Sequence, residues 1–113
     1  MSTSSKGKHG EDEAEKYLLK EGHTILVRNF RKHLGEIDII SQKGETLYFS
    51  EVKNWEIDFL DTPLQIFNKK KISKMRKLAE LFLVEKGFLS KYYVSFCLLY
   101  IQKGEIIFYK DLF

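Results

Sequence analysis

The spacing of apolar residues constrains this chain most, because its period changes along the sequence. Between His23 and Trp55 the segments HTILVRNF, GEIDIIS and ETLYFSEVKNW are rich in β-branched and aromatic residues and are divided by short polar joints. One joint, QKGE, places a glycine where a hairpin needs a positive φ. From about Leu64 to Lys86 the period lengthens: Ile72, Met75, Leu78, Ala79, Phe82 and Leu83 recur three and four apart, as on one face of a helix that stops at Gly87. KYYVSFCLLYI and EIIFYKDLF then return to strand composition, joined by a second QKGE. Ahead of all of these, GEDEAEKYLLKEG has helical spacing, with Glu11, Asp12 and Glu13 suited to the positive end of the helix dipole and Gly22 to its stop. EIDFLDTP reads as a loop closed by Pro63, the only proline, which suits a helix's first turn. The predicted order is α-β-β-β-α-β-β. That is an α/β (α+β) arrangement: a mixed central sheet flanked by helices, its first three strands mainly antiparallel.

At 113 residues the chain reads as a single domain, 1–113, with a polar flexible arm over 1–6. Composition is 43% hydrophobic and 31% charged, and no run of about 18 apolar residues suggests a membrane span. The opening MSTSSKGKHG has no apolar stretch to serve as a signal-peptide core, so a cytoplasmic location is expected. Cys97 is the one cysteine; it lies in an apolar run and reads as a small buried hydrophobe, which leaves no disulfide framework and no cysteine-ligated zinc. His9, His23 and His33 lack ligand spacing.

Net charge is only +3, but it is unevenly spread. From Thr62 to Ala79 there is no acid, while Lys69, Lys70, Lys71, Lys74, Arg76 and Lys77 accumulate; Gly22 to Gly35 carries Arg28, Arg31 and Lys32, also without an acid. Two such segments can form a patch that meets phosphates. A solvated lysine-rich helix face has the same composition.

Charges also interrupt the strands. Alternation places Glu36, Asp38 and Ile40 on one face with Ile37 and Ile39 on the other. In the next strand Leu47, Phe49, Glu51 and Lys53 share a face opposite Tyr48, Ser50 and Val52. A face that begins apolar and ends charged suggests a sheet covered on both sides, with its charged end opening into a cleft. The bland reading is ordinary strand-end charge. The chemical reading joins three groups: two carboxylates on neighbouring strands suit Mg²⁺, a hard cation, and a lysine beside them can orient or deprotonate a water during attack on phosphorus.

These residues carry a resemblance. The ID of Ile37–Asp38, followed thirteen residues on by the EVK of Glu51–Lys53, is similar to the PD-(D/E)XK nuclease motif. The wider pattern, GKHGEDEAEKYLLKEGHTILVRNFRKHLGEIDIIS, then LYFSEVKNW, then a helix with early lysines and a late AELFL, resembles the YraN family of largely uncharacterised bacterial proteins from about Gly7 to Ile101. That family is in turn similar to archaeal Holliday junction resolvases. The resemblance implies a restriction-endonuclease-like core. It also implies catalytic Asp38, Glu51 and Lys53, and Mg²⁺ or Mn²⁺ held by Asp38 and Glu51 with Glu11, the Val52 carbonyl and Glu36. A nucleic-acid contact is implied for Lys71, found by counting eight back from Ala79; Asn29 and Arg31 are expected either to contact nucleic acid or to fix the strand edge, Arg28 is a further candidate contact, and Lys70, Lys74 and Lys77 are expected to make looser backbone contacts or to serve solubility.

The implied activity is metal-dependent hydrolysis of DNA, branched or flapped, by a homodimer. Two departures bear on substrate preference: Trp55 stands where many relatives have a basic residue and is a candidate to stack on an unpaired base, and Cys97 occupies the place of an aspartate. The competing expectations are a non-catalytic nucleic-acid-binding or scaffold protein on the same fold, and a protein-interaction module whose strand-end charges are merely solvated.

Overall fold

The computed structural model describes residues 2–54 and 63–113, with side chains described for 10–54 and 65–113. EIDFLDTP up to Pro63, and the stacking proposed for Trp55, lie outside the described residues. The elements are α1 (Ser2–Lys20), β1 (Thr24–Lys32), β2 (Gly35–Lys43), β3 (Thr46–Asn54), α2 (Pro63–Ile66), α3 (Lys69–Lys86), β4 (Tyr93–Gln102) and β5 (Glu105–Tyr109). They form one five-stranded sheet in the order β1-β2-β3-β4-β5. The β1–β2, β2–β3 and β4–β5 pairs are antiparallel and β3–β4 is parallel, so the sheet is mixed as expected.

Both predicted helix stops are present and share one device. Gly22 and Gly87 have φ of 91° and 67°, a left-handed turn that costs glycine little. The next amides, His23 N and Phe88 N, donate back to Leu18 O at 2.9 Å and Leu83 O at 2.8 Å, closing otherwise orphaned carbonyls. The helix read as continuous from Leu64 is two helices. Asn68 interrupts it because its side chain accepts from Lys71 N at 2.8 Å, which caps α3 and separates it from the short α2 begun by Pro63. α1 likewise begins at Ser2, ahead of the segment whose spacing is helical.

α3 covers one face of the sheet and α1 the other. Met75, Leu78, Ala79 and Phe82 of α3 pack with Phe30, Ile37, Ile40, Leu47, Phe49 and Phe96. Phe82 is the hub, meeting the rings of Phe30 and Phe49 edge-on at 5.4 and 5.9 Å. Ala14 and Leu18 of α1 pack with Ile39 and Leu99 on the opposite face. One expectation fails here: Ile37 belongs with Ile40 and not with Ile39. Asn29, on the neighbouring strand, has φ of 54°, so regular alternation is broken at that level; Val27 and Phe30 both reach the α3 side although three apart. Cys97 is fully buried, and burial pushes its thiol up to about 11, in keeping with a packing role.

Candidate functional site

β2 and β3 pair from Lys43↔Thr46 as far as Ile39↔Ser50, and the described pairing stops there. β3 nevertheless continues beside β4 to Asn54↔Ile101. At the point where β2 leaves, the Val52 amide donates at 2.8 Å to Oδ2 of Asp38, so a carboxylate stands where a backbone carbonyl would continue the ladder. The separation of two strands is what places an acid between them.

Glu51 precedes Val52 and lies on the α3 side, its side chain 8% exposed. Its Oε1 is ion-paired with Nζ of Lys71 from the first turn of α3, whose side chain is one-third exposed. The Asn68 cap sets where that first turn begins, and so brings Lys71 to Glu51. Burial first, and the neighbouring Glu51 charge second, push the Asp38 carboxyl up to about 8; Glu11 adds to this and the Val52 amide opposes it. Two acids thus share a poorly solvated space with one lysine.

The other residues expected at the site divide. Lys53 follows Glu51 by two and keeps to its side of the sheet by alternation, in register with Tyr100. Glu11 is near enough to raise Asp38, but it faces Arg28 at 3.3 Å. Arg28 also holds Asp12 at 2.7 Å and Glu15 at 3.4 Å, so this guanidinium expected at a phosphate is tied to α1. Burial opposes its charge, yet the hydrogen bonds it donates to Asp12 and Glu11 leave its pKa raised. Glu36 pairs with its cross-strand neighbour Arg31 at 3.0 Å, with Arg31 largely exposed. Asn29, Lys70 and Lys74 are exposed.

Among the described residues no three His, Cys, Asp or Glu side chains stand together as a metal-binding group. The donor set is therefore the Asp38–Glu51 pair. Mg²⁺ commonly takes one or two carboxylates and keeps several waters, and Mn²⁺ shares its preference for oxygen, so the pair's chemistry fits a hydrated hard cation.

Sequence reasoning named the acids and Lys71 but not their partners. The Asn68 cap had a signal, an asparagine three residues ahead of Lys71 at the edge of the helical stripe. The Val52–Asp38 bond had none, since it depends on where two strands part. Also without a signal is His23, which is buried against Tyr48 and bonded through Nδ1 to Ser41 Oγ at 2.9 Å.

A family model described as "Uncharacterised protein family UPF0102" matches residues 10–101, a span containing Asp38, Glu51, Lys53 and Lys71. The UPF0102 protein of Leptospira interrogans is 48% identical over 110 residues, covering 96% of this chain and 94% of that protein. That of Persephonella marina is 36% identical over 108 residues, covering 96% and 92%. That of Dictyoglomus thermophilum is 41% identical over 87 residues, covering 76% and 73%. No described helix is long and apolar enough to cross a membrane.

Proposed function

We propose that this chain, which belongs to the uncharacterised protein family UPF0102, is a divalent-cation-dependent nuclease domain of PD-(D/E)XK type that hydrolyses phosphodiester bonds in DNA. The observation that supports this reading is the buried Asp38–Glu51 pair at the parting of β2 and β3; Lys53, two residues beyond Glu51 on β3, follows on the same side by alternation. Asp38 and Glu51 would hold Mg²⁺ or Mn²⁺, with the Val52 carbonyl beside them and with Glu11 and Glu36 joining when released from Arg28 and Arg31. The cation, when bound, supplies charge stabilisation at the phosphoryl oxygens. Lys53 orients the water whose oxygen forms the new bond to phosphorus and offsets the charge that grows as the bond to the leaving sugar oxygen breaks. Lys71, one-third exposed, can exchange Glu51 for a substrate phosphate. Exposed Lys70 and Lys74, with Asn29, Arg31 and Arg28, would meet the flanking backbone. Branched or flapped DNA, a homodimeric state and a cytoplasmic location complete the proposal.

The test is a cleavage panel of linear, flapped, four-way-junction and single-stranded DNA with Mg²⁺ or Mn²⁺. We expect cutting of at least one substrate and a loss of about 100-fold or more in Asp38→Asn and in Lys53→Ala. Unchanged cleavage in both variants would falsify the site assignment.

One observation favours a second reading. Lys71 already neutralises Glu51, and no described group of three ligands surrounds the pair, as suits a non-catalytic nucleic-acid-binding protein on this fold. Its mark is binding that survives EDTA and falls steeply with salt, without cleavage.

A further inference from the structure

On the α1 face, at the turn end of the β2–β3 hairpin, lies a cleft of about 440 Å³ that the proposed chemistry leaves unused. Its walls include the rings of Tyr17, Tyr48 and Phe108 and the side chains of Lys43, Lys110 and Glu21. Lys43 is five residues from Asp38 along β2, roughly 17 Å at about 3.4 Å per residue. The cleft is therefore a separate place.

Its rings form a connected set: Tyr17 and Phe108 are 6.0 Å apart at 80°, and Tyr48 and Phe108 are 6.0 Å apart at 51°. His23 joins them, 4.7 Å from Tyr48 and 5.7 Å from Phe108, with Nδ1 committed to Ser41 and Nε2 as its remaining polar atom. Burial and the charges of Lys43 and Lys110 hold this imidazole below its ordinary pKa, so it is neutral and able to exchange a hydrogen bond with an uncharged ring. Two lysines against one glutamate leave a net positive charge, which selects an anion. An aliphatic anion would leave the rings idle, and an uncharged aromatic would leave the lysines idle. A ligand that uses both carries a planar ring and a phosphate, and Glu21 can accept from its amino or hydroxyl groups. The volume lies within the range of about 300–1,000 Å³ usual for such sites.

We propose that this cleft binds a nucleotide, its base stacked among Tyr17, Tyr48 and Phe108 and its phosphate held by Lys43 and Lys110. The nucleotide is either free or the terminal residue of a strand. The chemistry is the same in both cases.

The test is a titration of the ¹⁵N-labelled full chain with the four nucleoside 5′-monophosphates, with the matching nucleosides, and with a 5′-phosphorylated hexanucleotide. We expect saturable amide shifts centred on Gly44, Tyr48 and Phe108. Affinity should fall about tenfold or more for the nucleoside and for the Lys43→Ala/Lys110→Ala variant, whose two side chains are exposed and whose folding is checked by its own amide spectrum. Asp38→Asn should bind as the unmodified chain does, so that this result stands whether or not cleavage is found. Tighter binding of the hexanucleotide than of any monophosphate assigns the strand end as ligand; equal or weaker binding assigns the free nucleotide. Absence of saturable shifts at these residues with every ligand, or shifts indifferent to loss of both lysines, overturns the proposal.

Discussion

The β2–β3 hairpin buries polar groups at both of its ends, and the two ends do so differently. At the turn end His23 and Ser41, both buried, meet as neutral partners in a single hydrogen bond under the rings of Tyr48 and Phe108. At the parting end Asp38 and Glu51 are acids held close together, with the Val52 amide and Lys71 as their compensation. The first arrangement pairs Nδ1 of the imidazole with a hydroxyl, carries no net charge and contributes to the fold. The second sets two carboxyls against one lysine, so ionising both costs stability unless a cation arrives, and Asp38 keeps its proton instead.

The largest effect expected from breaking the contrast is at the turn end. His23→Ala removes a ring packed on two aromatics and leaves Ser41 without its partner, so unfolding in urea should show a loss of about 2–3 kcal/mol at neutral pH. A loss below 0.5 kcal/mol, roughly the effect of an ordinary surface change, would mean that this end does not contribute to the fold.

A smaller effect, of opposite pH dependence, belongs to the parting end. The folded-state pKa of Asp38, about 8, lies above its ordinary 3.8, so the folded chain binds the proton more tightly. That contribution is fully present below pH 3.8 and is lost as pH rises through about 8. His23 has the reverse sign: its pKa is lowered, so its contribution is present above 6.5 and is lost as pH falls through the folded value. Asp38→Asn should therefore gain on the unmodified chain between pH 4 and pH 8, by on the order of 2 kcal/mol. A difference independent of pH would show that Asp38 is not held protonated by its surroundings.

The smallest expected effect sharpens the contrast between the ends. Near pH 8, excess Mn²⁺ without DNA should raise the melting temperature by about 4 °C, the shift that about 1 kcal/mol produces in a domain near this size. His23→Ala should keep that shift and Asp38→Asn should lose it. An equal shift in Asp38→Asn would place the cation elsewhere.

Much of the fold was legible in local pattern. The three consecutive strands, the stripe on α3, the stops at Gly22 and Gly87 and the burial of Cys97 follow from side-chain period and backbone preference, which act over a few residues. The face of Ile37 was not legible, because the break in alternation is felt through Asn29 on another strand. Nor was the place of Arg28, whose partners Glu11, Asp12 and Glu15 are brought to it only when α1 lies across the sheet. For the candidate site, alternation and resemblance picked out Asp38, Glu51 and Lys53. The Val52 amide on Asp38 and the pairing of Lys71 with Glu51 were beyond reach.

The sequence by itself determined which residues could do chemistry here: acids and a lysine placed on strands otherwise built for burial, and a helix carrying lysines along its flank. Only the tertiary structure decided their company. Solvation and Coulomb forces depend on distance through space, so the parting of β2 from β3, the capped start of α3 and the docking of α1 set how much charge each acid keeps.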